Sequence, residues 1–256
     1  MGTNTLQEQI RRADSGYESQ DKSLFEHPKY DPTTHYIELA RSGYFRALLT
    51  LRHYIKATSD FYFSVVQNAT NVDLFMMTPS ISSPMGPGSD SETIPITFGE
   101  LHTFLVDSSQ FGFEPLLMNG MDKVYCYLPS MRGENPDKRH LNQFFHCEAE
   151  VRGGLETLTP VIEGYIKALC QSLSLMPNII ERISLEPNVT KATLSKISSL
   201  PSFKKITFDE AIVILRKSGN AGLFTETEHG CDMSSQGELE IDQMKGELDR
   251  LGLHQR

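Results

Sequence analysis

The 256-residue sequence contains no apolar run approaching the roughly 18–20 residues that a membrane-spanning helix requires, so we expect no membrane partner. Its N-terminus also lacks the apolar core of a secretory signal peptide, which favours a cytoplasmic protein. The four cysteines form no CxxC pair, so their spacing indicates neither a disulfide framework nor a structural zinc site, and we assign no metal ligand. Positive charge is also scarce, since 24 Lys and Arg stand against 33 Asp and Glu and leave a formal net charge of −9. That balance argues against broad non-specific binding to DNA.

The sequence does contain enough apolar residues for one good-sized domain, with 39% hydrophobic and 22% charged residues. Residues 1–35 are mainly polar and predict a disordered polar leader. Residues 36–240 carry the apolar patterns of a folded core. Residues 241–256 predict a charged C-terminal helix or tail.

The first half of the core predicts a helix followed by short strands. Helical spacing of apolar residues predicts a long helix over 36–66, broken near Ser59–Asp60. VDLFMM, residues 72–77, predicts a short buried strand, and the Ser/Gly/Pro-rich residues 80–93 predict a loop that faces substrate. Further apolar runs predict two strands and a helix, over 94–98, 103–106 and 113–118.

The second half predicts a hairpin and then more helices. Two β-prone runs, 123–128 and 143–147, flank a long polar loop and predict a pair of strands. A pair of glycines precedes an amphipathic helix that starts at Leu155. Residues 176–204 are weakly patterned and are interpreted as an insertion, whereas 207–218 predict a helix with Thr207 or Asp209 as its N-cap. The predicted fold class is therefore α+β, an antiparallel sheet with flanking helices.

The hairpin loop concentrates positive charge in an acidic chain. Its cationic and titratable residues are Arg132, Lys138, Arg139 and His140. Because arginine presents a planar fork that meets phosphate oxygens in pairs, the loop suits a nucleoside triphosphate, and Phe144 offers a ring face to a base. Glu148 and Glu150 project from one face of the same strand, as groups that bind an α-amino group or Mg²⁺ do. A solvated charged hairpin with Phe144 in the core fits the same residues equally well.

A family resemblance is specific at this hairpin. MRGENPDKRHLNQFFHCEAEV, residues 131–151, closely resembles motif 2 of the class II aminoacyl-tRNA synthetases of the aspartate/asparagine branch. LFMMTPSISS resembles the end of motif 1, VDSSQFGFE resembles the family's Q-S-S-Q-L-Y-L-E segment, and FKKITFDEAIVIL resembles its F-x-R-I-T-Y-D-E-A-I helix. The resemblance covers roughly residues 41–240, is nearest to the asparaginyl enzymes, and implies a class II synthetase-like antiparallel sheet flanked by helices.

The resemblance implies ligands for individual positions. ATP would be bound by Arg132, Glu134, Arg139, His140 and Phe144, with Arg132 also serving as the catalytic residue on the α-phosphate. The amino-acid substrate would be bound by Gln110, Glu148 and, in a looser alignment, Ser89. The implied reaction is attack of the amino-acid carboxylate on the α-phosphorus of ATP, which yields an aminoacyl adenylate and pyrophosphate with ATP and Mg²⁺ as cofactors.

The choice between asparagine and aspartate depends on one position. Aspartate-specific members of the family carry a lysine three residues after the position of Gln110, and Phe113 stands there in this chain. The missing cation favours an asparagine-type pocket. The alternative is that Phe113 is a core residue and that another cation binds aspartate.

The sequence also departs from the family pattern. The leader leaves no room for the anticodon-binding barrel, and nothing in residues 241–256 resembles motif 3, so we expect a C-terminally incomplete fold. Three interpretations remain open: the chain is a fragment, its fold is completed by a partner chain, or it has abandoned catalysis. The first function is activation of asparagine or aspartate, with tRNA as a possible acceptor. The second is transfer of the acyl group to ammonia or a small amine by a free-standing paralogue, and the third is a catalytically dead dimerisation or regulatory module.

The resemblance also implies a homodimer through the helix at 41–66. An ordinary amphipathic core helix is the alternative interpretation of these residues.

Overall fold

A computed structural model describes residues 3–28, 31, 33–82, 92–136, 141–219, 221–227 and 230–243. The chain divides into two compact units, one comprising residues 1–85 and 90–201 and the other residues 86–89 and 202–256. None of the helices in the described ranges is long and apolar enough to cross a membrane.

The first unit combines helices with two small sheets. Its helices are α1 (Thr3–Ser15), α2 (His35–Arg41), α3 (Gly43–Phe61), α4 (Gln110–Met118), α5 (Leu155–Ser174), α6 (Pro177–Ile183) and α7 (Pro187–Ser199). Its strands are β1 (Thr70–Asn71), β2 (Met77–Thr78), β3 (Ile94–Phe98), β4 (Leu101–Leu105), β5 (Lys123–Met131) and β6 (Gln143–Val151). One sheet has the order β1-β5-β6, with β1 parallel to β5 and β5 antiparallel to β6, and the other is the antiparallel sheet β2-β4-β3. The predicted α+β class is confirmed.

The β5–β6 hairpin separates two layers of the first unit. Alternate residues of β6, among them Cys147, Ala149 and Val151, pack with Tyr62 and Tyr165 in a buried cluster. The intervening β6 residues project from the opposite face because successive side chains on a strand alternate. On β5, Val124, Cys126 and Leu128 pack with Val106 and Phe113 in a second cluster. This second layer carries the candidate site.

The predicted disordered leader is wrong, because residues 3–15 form α1 and Ile10 of this helix is buried. Ile10, Tyr17 and Phe25 form a core cluster with Ala47 of α3 and Ile179 of α6. Few apolar residues suffice here because each one packs against helices that are distant in sequence. An average over local composition detects no such contacts, which explains why the polar segment was interpreted as disordered.

Asp14 connects α1 to the start of α6, and its removal gives a testable loss of stability. The carboxylate is 3% exposed and accepts hydrogen bonds from Asn178 N at 3.2 Å, Asn178 Nδ2 at 2.9 Å and Ile179 N at 2.9 Å. It therefore caps a helix N-terminus from another segment, and Asp14→Ala should lower the free energy of unfolding by about 0.5–2 kcal/mol. Urea denaturation measures this change, with exposed Glu18→Ala of the same segment as the control. Equal stability of the two variants would contradict the capping interpretation.

The long helix predicted over 36–66 is divided at a different place. Ser42 ends α2 and caps α3 by accepting a hydrogen bond from Phe45 N at 3.4 Å. The helix then runs through the predicted break, where the Ser59 hydroxyl donates to Ile55 O at 2.8 Å, and continues as a π-helical turn over Tyr62–Val66.

The buried strand predicted over 72–77 is also wrong. Val72 N donates to Tyr125 O, but the chain leaves the sheet after this contact, and Phe75 is exposed.

Several other predicted elements are confirmed with shifted ends. The strand at 94–98 is observed as predicted, α4 begins three residues before the expected helix, and β5 and β6 extend beyond the expected strands into the polar loop and the E-x-E segment. The weakly patterned residues 176–204 contain α6 and α7. Each begins with a proline in its first turn, a local helix-start signal that the weak apolar pattern concealed.

The second unit contains α8 (Phe208–Ser218), the antiparallel hairpin of β7 (Phe224–Thr227) and β8 (Gly230–Met233), and α9 (Ser235–Gln243). Thr207 is the N-cap of α8, as predicted. Its hydroxyl accepts a hydrogen bond from Glu210 N at 3.2 Å, and the Glu210 carboxylate accepts one from Thr207 N at 2.7 Å. The helix ends at Gly219, whose φ of 74° is the left-handed conformation that glycine adopts without strain. Of the predicted tail, residues 241–243 belong to α9 and the rest lies outside the described residues.

Candidate active site on the β5–β6 hairpin

The candidate site lies where β6 meets the start of α4. Phe144, His146 and Glu148 occupy alternate positions of β6 and share the face opposite Cys147 and Ala149. Arg132 follows directly after β5, and Ser130 pairs with Phe144 across the hairpin. The fold thereby brings the cation, the aromatic ring and the carboxylate singled out in the sequence onto one surface.

Glu148 is held at the N-terminus of α4. Its Oε1 accepts a hydrogen bond from the Ser108 hydroxyl and its Oε2 one from Ser109 N, each at 2.7 Å. A helix N-terminus carries partial positive charge and unpaired N–H groups, so it provides hydrogen-bond donors for a carboxylate side chain. The Glu148 side chain is still 27% exposed, and each oxygen retains a second lone pair for a ligand that donates.

The chain segment before α4 is fixed by a buried pair. Asp107 is 2% exposed, and its Oδ1 accepts a hydrogen bond from the Ser82 hydroxyl at 2.6 Å. The Ser82 hydroxyl oxygen accepts one from Asp107 N at 2.9 Å. These contacts anchor the start of the predicted substrate loop beside Ser108 and Ser109. Ser89, which the family resemblance assigned to the substrate, lies outside the described residues.

Arg132 lies over the ring of Phe144. Its Cζ is 5.2 Å from the ring centroid, and Arg132 N donates to Asn142 O at 2.9 Å, which closes the hairpin. Arg132 Nε is buried and has no hydrogen-bond partner in the part of the chain that the structure describes. A buried guanidinium N–H without an acceptor is costly, and an anion such as phosphate would satisfy it. Arg139 and His140, the other predicted phosphate contacts, lie outside the described residues.

Glu134 and Gln110 lie at the two borders of the site. The Glu134 carboxylate accepts a hydrogen bond from Glu92 N at 3.0 Å, and Gly133 N donates to Glu92 O at 2.8 Å. A Cβ at Gly133 would lie 3.0 Å from Thr93 O, so this close approach favours glycine. Gln110 is the first residue of α4, and its Nε2 donates to Glu114 Oε1 at 3.3 Å. Glu134 thus connects the hairpin to the end of the predicted substrate loop.

His146 is a member of the site that the sequence reasoning missed. Its Nδ1 lies 2.9 Å from the Ser130 hydroxyl and 3.7 Å from Glu148 Oε2, and its ring meets Phe144 edge-on at 4.7 Å. Burial lowers the pKa of His146 below its ordinary value of 6.5, a shift that the Glu148 carboxylate opposes and the Arg132 guanidinium reinforces. The signal was present in the sequence, because His146 stands two residues before Glu148 and therefore on the same strand face.

The lowered pKa of His146 predicts a pH-dependent stability. Below pH 6.5 the unfolded chain binds a proton at this position more readily than the folded chain, so the free energy of unfolding should fall as the pH decreases from about 6.5. His146→Gln should reduce this slope, whereas exposed His102→Gln on β4 should leave it unchanged. Urea denaturation at pH 5, 6, 7 and 8 measures the slopes. Parallel pH profiles for the wild type and His146→Gln would show that the folded environment does not favour the neutral ring.

Phe113, the position that separates aspartate-type from asparagine-type sequences, lies in the core. Phe113 is fully buried with Val124 and Cys126, so it is a core residue and does not itself contact a substrate side chain.

Glu150 lies beside two other carboxylates on the border of the site. Its pKa is raised, mainly because the side chain is partly buried and to a smaller extent because the carboxylates of Glu114 and Glu148 are near. Within the described residues no group of three His, Cys, Asp or Glu side chains could hold a metal ion.

Solved structures share this fold. The asparaginyl-tRNA synthetase from Pyrococcus horikoshii complexed with asparaginyl-adenylate superposes with a TM-score of 0.69 at 21% identity, over 84% of this chain and 46% of that chain. The Entamoeba histolytica asparaginyl-tRNA synthetase gives a TM-score of 0.62 at 20% identity, over 87% of this chain and 48% of that chain. These likenesses confirm the class II synthetase-like architecture of α+β elements.

Sequence relatives point to the same family. The asparagine–tRNA ligase of Thermococcus gammatolerans is 31% identical over 53% of this chain and 29% of that protein. The aspartate–tRNA(Asp/Asn) ligase of Methanothermobacter thermautotrophicus is 25% identical over 65% of this chain and 36% of that protein. The chain thus spans about a third of the length of these curated relatives. The family model for class II tRNA synthetases (D, K and N) matches residues 29–248. The chain belongs to the class II tRNA synthetases of this D, K and N group.

Proposed function

We propose that this chain activates asparagine with ATP to form asparaginyl adenylate and pyrophosphate. The observation that carries the proposal is the buried, unpaired Nε of Arg132 beside Phe144, on the same sheet face as the anchored carboxylate of Glu148. One surface therefore offers a cation for a phosphate, a ring for a base and an acceptor for an α-amino group.

Each group has a separate task in this proposal. Arg132 binds the α-phosphate and stabilises the negative charge that develops as the amino-acid carboxylate attacks. Phe144 packs against the adenine, and Glu134, Arg139 and His140 contribute the remaining ATP contacts. Glu148 accepts a hydrogen bond from the substrate α-amino group and so orients the carboxylate toward phosphorus. Gln110 and Ser89 complete the amino-acid site, and Mg²⁺, when bound with ATP, would neutralise charge on the phosphates.

Asparagine is preferred over aspartate on two grounds. The position three residues after Gln110 provides no cation for a second carboxylate. A relative at 31% identity is named an asparagine–tRNA ligase, although relatives named aspartate–tRNA(Asp/Asn) ligases match as well. Because the side chain of Phe113 lies in the core, the ring itself is not proposed to contact the substrate, and a cation at this position alone would not be enough to bind aspartate.

We propose tRNA as the acyl acceptor and a homodimer as the assembly. The names of the matched relatives support the first proposal. Leu49 and Val65 lie within the predicted interface helix and are exposed apolar residues, which supports an interface along it. Other residues of α3, such as Ala47, are buried in the core of the same chain, so the helix also has a side that packs inside this chain.

Amino-acid-dependent exchange of pyrophosphate into ATP tests the proposed function. Purified chain should catalyse exchange with asparagine and at least tenfold less with aspartate, because one uncompensated charge costs about 1.4 kcal/mol or more. Preferred exchange with aspartate would reverse the assigned specificity. No exchange with any amino acid, from a folded sample that still binds ATP, would leave a catalytically dead module.

A further inference from the structure

A groove of about 530 Å³ lies among four helices of the first unit. Polar side chains from three of these helices line it: Gln7 and Arg11 of α1, Gln171 of α5, and Lys191, Ser195 and Ser198 of α7. Ser174, Leu175, Pro177 and Ile180, around the junction of α5 and α6, complete the lining. None of these residues belongs to the β5–β6 hairpin, so the groove is separate from the candidate active site.

The polar residues of this groove recur at helical spacing. Gln7 and Arg11 lie one turn apart on α1, and Lys191, Ser195 and Ser198 follow one another at intervals of four and three residues on α7. Residues at these intervals share one face of a helix. Helix faces that meet inside a domain are usually apolar. Here two polar stripes border the same space, which indicates a surface suited to a polar ligand rather than a packed contact between helices.

Many hydrogen-bond donors of the groove are unused. The side chains of Gln7, Arg11 and Gln171 form no hydrogen bond or ion pair with any residue that the structure describes. Lys191 Nζ donates to Glu181 Oε2 at 2.8 Å, and an ammonium group has two further N–H donors. Two of the serine hydroxyls donate to carbonyl oxygens of their own helices and make no bond across the groove. A ligand with several acceptor atoms could therefore bind without displacing contacts between the helices.

The charge of the lining indicates the sign of that ligand. Arg11 and Lys191 line the groove, and no Asp or Glu is among its lining residues, although the chain has a formal net charge of −9. Glu181 balances the charge of Lys191, which leaves the guanidinium of Arg11 uncompensated. A guanidinium fork beside an ammonium group and amide N–H donors suits an oxyanion. A phosphate monoester supplies three acceptor oxygens to such a set of donors, whereas a carboxylate supplies two.

We propose that this groove binds a small organic phosphate ester, with Arg11 and Lys191 as the cationic contacts of its phosphate group. The volume lies in the range of small-molecule pockets and leaves room for an organic group beside the phosphate, against the apolar side chains of Leu175, Pro177 and Ile180. Two cations are few for a nucleic-acid backbone, which is bound through many phosphate contacts. Because α1, α5 and α7 all contact the ligand, its binding also stabilises the folded chain.

Calorimetric titration of the full chain with 1-naphthyl phosphate tests this proposal, and 1-naphthol, which lacks the phosphate, is the matched ligand control. Arg11→Ala and Lys191→Met each remove one cation from the groove. Arg12→Ala and Lys196→Met remove the same charge from the same two helices at positions outside the groove, so they are the matched protein controls. Arg132→Ala changes the proposed ATP site and shows whether the probe occupies that site instead.

The wild type, both control variants and Arg132→Ala should bind 1-naphthyl phosphate equally well, at one site in the groove. Arg11→Ala and Lys191→Met should each weaken binding about tenfold or more, the usual effect of losing a charge-assisted hydrogen bond. The wild type should bind 1-naphthol at least about tenfold more weakly than the phosphate, for the same reason.

Four results would overturn the proposal. They are no saturable binding of 1-naphthyl phosphate at millimolar concentration, equally tight binding of 1-naphthol, equal affinities of Arg11→Ala and Arg12→Ala, and loss of the binding in Arg132→Ala. Arg11 is exposed and has no partner in the described part of the chain, so its replacement keeps the fold and decides the matter even if Lys191→Met is less stable.

Discussion

Arg132→Ala should lower asparagine-dependent exchange of pyrophosphate into ATP by about 10²- to 10³-fold, the usual effect of removing one preorganised group that stabilises transition-state charge. The geometry gives the reason. The Arg132 guanidinium is held over Phe144, and its Nε is buried without a partner, so the cation is positioned before any phosphate arrives. Preorganisation of this kind lowers the activation free energy without a cost of reordering at the moment of reaction.

Two variants separate this effect from a general loss of charge or of fold. Arg132→Lys keeps the charge but loses the planar fork, so it should recover only part of the lost rate. Arg12→Ala removes an exposed arginine of α1 and should leave exchange unchanged. The loss in Arg132→Ala should fall mainly on kcat, with a smaller rise in the KM for ATP, because the contact exists in the ground state and strengthens in the transition state. Undiminished exchange in Arg132→Ala would remove this residue from the proposed mechanism.

ATP binding provides an independent readout of the same residue. If the chain binds ATP but catalyses no exchange, Arg132→Ala should still weaken ATP binding, because a phosphate oxygen loses the N–H donors of the Arg132 side chain. A site that neither exchanges nor binds ATP would contradict the proposed function as a whole.

Elements with local signals could be predicted from the sequence, and elements that depend on distant contacts could not. The β5–β6 hairpin was predicted because both strands are short runs of β-prone apolar and aromatic residues, a signal contained within a few residues. Helix α8 was predicted because Thr207 or Asp209 offers an N-cap, also a local signal, and the structure shows Thr207 in that position. Helix α1 was missed because its stability comes from Ile10 and Asp14 packing against α6, more than 150 residues away.

The candidate site shows the same division. Spacing along β6 predicted that Glu148 and Glu150 share one strand face, and the same alternation places Phe144 there as well. Its hydrogen bonds to Ser108 and Ser109 were not predictable, because they depend on where α4 meets the sheet. The sequence can state which side chains share a strand face, whereas the tertiary fold decides which helix end meets them. His146 falls between these cases, since its position was predictable and its lowered pKa required knowledge of its burial.

Phe113→Ala should lower the free energy of unfolding by about 3–5 kcal/mol, because it removes a large side chain from a closely packed cluster and leaves a cavity. Phe113 is fully buried among Val106, Val124 and Cys126. This loss is a large part of the 5–15 kcal/mol by which a typical domain is stable. Guanidinium denaturation measures it, and Phe111→Ala on the same helix is the matched control, expected to cost about 1 kcal/mol or less because that ring is 36% exposed.

The same position tests how specificity is encoded. Phe113→Leu roughly conserves the packing and should cost less than about 1.5 kcal/mol, with the preference for asparagine retained. Phe113→Lys introduces the cation of the aspartate-type sequence, but it does so inside an apolar cluster where an unpaired charge is strongly unfavourable. This variant should unfold or lose at least as much stability as Phe113→Ala, and it should gain no exchange with aspartate. A folded Phe113→Lys variant that activates aspartate would show instead that α4 can turn this side chain toward the substrate, and that the phenylalanine itself selects asparagine.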